Sequence, residues 1–274
     1  MKMKKLVLIL VGIILISFGV GFLSLNLNNR HLSTSSIDSI NLFINKNQKY
    51  SEGPNVNEEK IIKMEGIDNI DIESHLGNLN IISEDRKDIK IHYHGNVSEN
   101  KMPIFKANKK GKRIMISADT SKNNFNNIKN SNLTLDIYIP KNYKNNMKGI
   151  IYAGNIIASD LELDSLNLTS YAGNISLDNI LASNIKTSTN AGNIKIDLDK
   201  LNGNLFANTS AGNIKLALPE NSNFSLDASV SVGNIKSDFP IDDKDEYNTK
   251  GTIGNGENKV KLKTSAGNLS IKSK

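Results

Sequence analysis

Residues 187–198 read TSTNAGNIKIDL, and the four letters AGNI inside them decide the fold. Ala191-Gly192-Asn193-Ile194 has counterparts at Ala153-Gly154-Asn155-Ile156, Ala172-Gly173-Asn174-Ile175, Ala211-Gly212-Asn213-Ile214 and Val232-Gly233-Asn234-Ile235. The pattern returns as Ala266-Gly267-Asn268-Leu269, with an outlying Leu76-Gly77-Asn78-Leu79. Successive glycines from Gly154 to Gly233 are 19, 19, 20 and 21 residues apart. A fixed period near 20 is the mark of a solenoid. No leucine-rich-repeat consensus accompanies it, and each unit reads as strands. The expectation is therefore an all-β protein ending in a β-solenoid with coils of about 20 residues.

Parity assigns a role to Gly-Asn. Counting the glycine as zero, small or apolar residues stand at −1 and −3, as Ala191 and Thr189 do. After it they stand at +2 and +4, as Ile194 and Ile196 do. A continuous strand cannot switch parity, because its side chains alternate strictly between faces. Something must absorb one residue. Glycine accepts a left-handed backbone without penalty, and Asn tolerates it better than most. Gly154-Asn155, Gly173-Asn174, Gly192-Asn193, Gly212-Asn213, Gly233-Asn234 and Gly267-Asn268 are thus expected at corners. Coils stack about 4.8 Å apart, so Asn155, Asn174, Asn193, Asn213 and Asn234 are expected to form an amide ladder. The stretch 241–258 reads as a polar loop, after which a final coil caps the open end.

Upstream, alternation continues at Ile70/Ile72, Leu79/Ile81, Ile89/Ile91/Tyr93, Ile114/Ile116 and Leu133/Leu135/Ile137/Ile139. These predict a strand and hairpin region ahead of the solenoid. Lys109-Lys110-Gly111-Lys112 has the composition of a hairpin tip, and Asn123–Asn132 that of a polar loop. Residues 26–59 read as a polar linker. Leu6 to Leu25 carry no charge and follow Lys2, Lys4 and Lys5. About 20 apolar residues cross a bilayer as one transmembrane helix, and flanking lysines stay on the cytoplasmic side. Cleavage near Gly19-Val20-Gly21 is the competing reading. The expected organisation is an anchor at 1–25, the linker at 26–59 and an extracytoplasmic β-repeat domain at 60–274.

The chain has 274 residues, no Cys, no Trp and 5% aromatics. Thiolate metal sites, iron–sulfur clusters and Cys nucleophiles are excluded. The net charge of +6 divides into +5 for residues 26–148 and −2 for 149–274, once the three leading lysines are set aside. Neither half has the basic bias of a nucleic-acid binder.

The order of these features resembles the adhesin-like β-strand-repeat family called "domain of unknown function 4097" of the Firmicutes. The features are the N-terminal apolar run, Leu76-Gly77-Asn78-Leu79-Asn80-Ile81, Ile137-Tyr138-Ile139-Pro140, the Gly-Asn coils and the closing Thr264–Ile271. Many relatives carry Asp where this chain carries Asn after the glycine. The resemblance implies a β-helix-like envelope protein, in some cases linked to envelope stress, and brings no catalytic residues and no cofactor.

Candidate chemistry is sparse. The histidines are His31, His75, His92 and His94. His92 and His94 share a strand face, but the sequence identifies no third ligand, so no metal site is assigned. Asp160, Glu162 and Asp164 alternate, as a carbohydrate-active β-helix enzyme or a calcium site would require. Lys109, Lys110, Lys112 and Arg113 form a basic cluster suited to an anionic polymer such as a wall component. The resulting reading is a non-enzymatic, membrane-anchored adhesin-like or scaffold module. Its expected partners are the membrane, a cell-wall polymer or a membrane sensor protein.

Overall fold

The computed structural model describes residues 55–97, 102–119, 131–241, 243–244 and 247–274. The anchor and most of the linker lie outside them, as does most of the loop at 123–132. Among the described residues no helix is long and apolar enough to cross a membrane.

The first seven strands are β1 (Asn55–Lys63), β2 (Asn69–Leu76), β3 (Asn78–Glu84), β4 (Asp88–Asn96), β5 (Ile104–Lys110), β6 (Arg113–Asp119) and β7 (Asn132–Pro140). The first strand thus starts at Asn55, ahead of the boundary at Lys60. The central strands are β8 (Asn146–Ala153), β9 (Ile156–Ser159), β10 (Glu162–Ala172), β11 (Ile175–Asp178), β12 (Leu181–Ala191), β13 (Ile194–Asp197), β14 (Asn204–Ala211) and β15 (Ile214–Leu218). The last are β16 (Phe224–Val232), β17 (Ile235–Ser237), β18 (Asp243–Lys244), β19 (Asn248–Ile253), β20 (Asn258–Ala266) and β21 (Leu269–Ser273).

They form two sheets. Sheet I has the order β1-β4-β7-β3-β9-β11-β13-β15-β21-β17, and sheet II the order β18-β19-β16-β20-β14-β12-β10-β8-β2-β6-β5. Each coil contributes one strand to sheet II, turns at Gly-Asn, and contributes the next strand to sheet I. In β12 and β13 the buried residues are Ala182, Ile185, Thr187, Thr189, Ile194 and Ile196. The two sheets bury alternate residues in one continuous core. Ile, Leu and Ala dominate its middle, while Tyr93, Phe105, Phe224 and Phe239 lie toward the ends.

Three expectations are corrected by the topology. Leu76-Gly77-Asn78-Leu79 is not part of a separate leading region. It is the corner of a full coil, with β2 parallel to β8 and β3 parallel to β9 in direct register. Nor does the last coil cap the stack. Strand β20 lies between β14 and β16, and β21 between β15 and β17. The physical reason is that every coil offers the same inward column, so a coil fits between any two others once the connection is long enough. The segment after β17 provides that length. Within it β19 pairs antiparallel along the outer edge of β16, so the stretch read as a loop contains a strand. At the opposite end β5 pairs antiparallel with β6, and β4 with β7.

Candidate functional site

The corner column is the most repeated feature of the surface. The glycines take φ of +146° at Gly154, +149° at Gly173, +154° at Gly192, +151° at Gly212, +138° at Gly233 and +145° at Gly267. A second constraint is tighter. A Cβ on Gly192 would stand 2.0 Å from the carbonyl oxygen of Gly173, and one on Gly212 would stand 1.9 Å from that of Gly192. Backbone meets backbone there, so no side chain can move aside.

The polar groups of the corner are satisfied coil to coil. The Asn174 N–H and its side-chain Nδ2 both donate to Asn155 Oδ1, at 2.9 and 3.2 Å. The same pair of bonds joins Asn193 to Asn174 and Asn213 to Asn193. Beyond Asn213 the ladder runs to Asn268 and only then to Asn234. At its other end Asn155 donates to Asn78. Inside the corner, a hydroxyl at −3 donates to the glycine carbonyl of the adjacent coil. These bonds are Ser170 to Gly154 at 2.8 Å, Thr189 to Gly173 at 2.9 Å, Thr209 to Gly192 at 3.0 Å and Thr264 to Gly212 at 2.9 Å. Sequence parity placed these residues inward as merely small ones. It also placed the −1 residues inward, and that is wrong: Ala191 and Ala211 are exposed, and Val232 is 69% exposed. The chain begins to turn at −2, so the −1 side chain points out.

The histidines acquire a partner that the sequence does not reveal. Strand β4 pairs antiparallel with β7, setting His92 opposite Asp136. Ile91 and Tyr93 are buried, so His92 and His94 project from the outer face of sheet I. Their rings stack at 4.4 Å. His94 Nε2 donates to Asp136 Oδ2 at 2.8 Å, and His92 Nε2 donates to Asn57 Oδ1 at 2.7 Å. Asn80 holds the second oxygen of Asp136 at 2.7 Å. On the same face Lys90 meets Glu59 at 2.8 Å and holds that carboxyl below the usual range.

The other candidates come apart. Asp160 sits in a turn at φ +55°, outside the strand that carries Glu162 and Asp164. Its carboxylate accepts a bond from Asn179, which is itself left-handed at +50°. Glu162 pairs with Lys144 at 2.6 Å on the exposed side of β10. The three carboxylates therefore do not share one strand face, because a left-handed turn separates the first from the others. In the β5–β6 hairpin, Lys109 donates to the Glu65 carbonyl, Lys112 pairs with Asp68, and Arg113 pairs with Asp71. Lys110 has no such partner among the described residues. His75, Tyr152 and Tyr171 stack in sequence at 4.8 and 5.1 Å along the corner column. Their ring faces cover one another, which leaves edges toward solvent.

Comparison with known proteins places this geometry. The family model described as Toastrack DUF4097 matches residues 67–198 and, in a second alignment, 152–272. No curated protein matches the chain. A crystal structure described as that of a "putative cell adhesion protein" from Clostridium sporogenes superposes with a TM-score of 0.54 at 20% identity, covering 81% of this chain and 100% of that one. A looser likeness, with a TM-score of 0.34 at 13% identity, joins 80% of the chain to 97% of a "putative adhesin" from Bacteroides fragilis. At 20% identity the likeness to the Clostridium protein is one of fold.

Proposed function

The chain belongs to the Toastrack DUF4097 family, and from that premise we propose that it is a non-enzymatic, surface-facing binding or scaffold module. One observation carries the reading: the repeated polar residues are spent on the stack itself. Glycine carbonyls, Asn amides and Thr hydroxyls close on the neighbouring coil. What the repeat presents outward is two broad faces of mixed charge, and such surfaces suit contact with a polymer or partner more than enclosed chemistry. The separation of Asp160 from Glu162 and Asp164 removes the acidic row that an enzyme of this shape would use.

The charge-free run from Leu6 to Leu25 behind three lysines supports a single-pass anchor with the β domain outside the cytoplasm. The fold shared with the Clostridium protein is consistent with adhesion as the role, and a part in the envelope-stress response fits the same placement.

The test is co-sedimentation of residues 50–274 with isolated Gram-positive cell walls at low and high salt. Salt-resistant pelleting is expected. Pelleting lost in salt would reduce the interaction to general charge attraction, with Lys110 as the first residue to exchange. No pelleting at either salt would overturn wall binding and leave a membrane sensor protein as the partner to seek by co-purification.

A further inference from the structure

We propose that His92, His94 and Asp136 form a binding site for a divalent transition-metal ion of the zinc type, on the outer face of sheet I. One ligand atom from each residue lies within 4.8 Å of the other two. Four adjacent strands build the site. Strand β4 supplies both imidazoles and β7 the carboxylate, while β1 and β3 contribute Asn57 and Asn80 beside them. The inward neighbours of the ligands, Ile91, Tyr93, Leu135 and Ile137, are fully or almost fully buried. The ligands therefore stand on a packed sheet and not on a loop, which favours a defined geometry.

The donor set selects the ion. Two imidazole nitrogens and one carboxylate oxygen suit zinc, nickel, cobalt or copper, whereas calcium needs six to eight oxygens. Zinc commonly takes three protein ligands and leaves a fourth position to water. Bonds of about 2.0–2.2 Å put tetrahedral ligand atoms roughly 3.3 Å apart. His94 Nε2 and Asp136 Oδ2 stand at 2.8 Å and would open slightly. The widest separation closes by rotation of side chains that are only partly covered, His94 being 37% and Asp136 13% exposed. Each ring now carries its proton on Nε2, where an acceptor takes it. Ligation through Nε2 leaves the ring proton on Nδ1. Asn80 already grips the second oxygen of Asp136, as an outer-shell residue at a metal site does. Lys90, the basic residue on the same face of β4, is engaged by Glu59 and does not occupy the carboxylate.

The experiment is calorimetric titration of the full-length chain with zinc chloride in metal-free, phosphate-free buffer. A Co²⁺ titration followed by visible absorption runs beside it. Saturable binding at one ion per chain is expected, with cobalt bands of tetrahedral intensity. His94→Ala and Asp136→Asn should each weaken binding at least about tenfold, and Asn80→Ala should weaken it by about tenfold through the carboxylate it holds. The double variant His92→Gln/His94→Gln should lose the site while its thermal melt without metal stays at the wild-type value. Equal binding by the double variant would assign the ion to other groups and overturn the proposal. Absence of saturable binding in the wild type would also overturn it, leaving His94–Asp136 as a hydrogen-bonded pair only. If the double variant fails to fold, the cobalt spectrum of the unaltered protein decides, since carboxylate and water ligands alone give weak octahedral bands.

Discussion

The middle of the stack and its two ends solve different problems. From β8 to β15 the coils follow one another in chain order, each parallel to the last, joined by the same corner. There the core is aliphatic and the polar groups close in columns. At both ends chain order breaks, antiparallel strands appear, and aromatic side chains fill the core. Tyr93 stacks with Phe105 at 5.7 Å near one end, and Phe224 meets Phe239 edge-on at 5.1 Å near the other. The difference follows from edges. An inner coil finds an identical partner on each side, so repetition satisfies it. An outer coil would present a row of unpaired backbone groups, which invites another chain. The ends therefore abandon the repeat on three of the four edges, where β4 with β1, β5, and β19 pair antiparallel over those rows, while β17 is the outer strand of sheet I among the described residues.

The strongest way to break the middle is Gly192→Val. Left-handed strain alone costs about 1–3 kcal/mol. The overlap with the Gly173 carbonyl adds a clash that only backbone movement relieves, so the expected loss exceeds about 4 kcal/mol. Urea unfolding followed by circular dichroism measures it, and a loss below about 1 kcal/mol would remove the corner column as the organising feature. The matching attack on an end is Phe224→Ala, which empties a fully buried ring site and should cost about 3–4 kcal/mol. Hydrogen exchange should then rise in β16 and β19 while β10 to β13 stay protected; uniform loss would mean that the ends and the middle unfold as one unit.

A finer contrast uses one substitution twice. Thr209→Val deletes the hydroxyl that serves the Gly192 carbonyl and should cost about 1–2 kcal/mol. Thr187 is equally buried, and its hydroxyl has no partner among the described residues. Thr187→Val should therefore be neutral or stabilising by up to about 1 kcal/mol. Equal effects would show that side-chain size, and not the hydrogen bond, matters on this face.

The last probe is silent at neutral pH. Burial pushes the hydroxyls of Tyr93 and Tyr143 above their ordinary value of 10.0. The unfolded chain then ionises first, so the stability they support is complete below about pH 10 and lost as pH rises beyond it. Tyr93 lies on β4 and Tyr143 just after β7. Alkaline titration should loosen β4 and β7 before β16 and β20, and Tyr93→Phe should delay that step.

How much of this was legible beforehand depends on range. The inward alternation and the Gly-Asn corners are written locally, so Ile194, Ile196 and the glycine column can be read without a structure. The resemblance named from Leu76–Ile81 and the later corners leads to the same family. What the letters do not encode is which coil lies beside which. Gly233 and Gly267 carry the same motif, and interchangeable interfaces give no order. Asp136 escaped notice for a similar reason: it meets His94 across 42 residues of chain, through a pairing that no spacing rule signals. Asp160 misled because alternation was counted through a turn, and Thr209 because a buried Thr looks like any small strand residue.

The slot that β20 and β21 fill bears on how the molecule is completed. Synthesis delivers the chain from its beginning, and β16 and β17 emerge before the strands that must lie beneath them. In the finished stack Asn258–Lys274 sets the β16–β17 coil two strand spacings, or roughly 9.6 Å, from β14 and β15. A chain cut before Asn258 lacks not its roof but an inner floor, and β16 and β17 lose the parallel partners they have in the intact stack. The segment thus serves as a keystone: strands grip it on both sides, β14 and β16 in one sheet and β15 and β17 in the other.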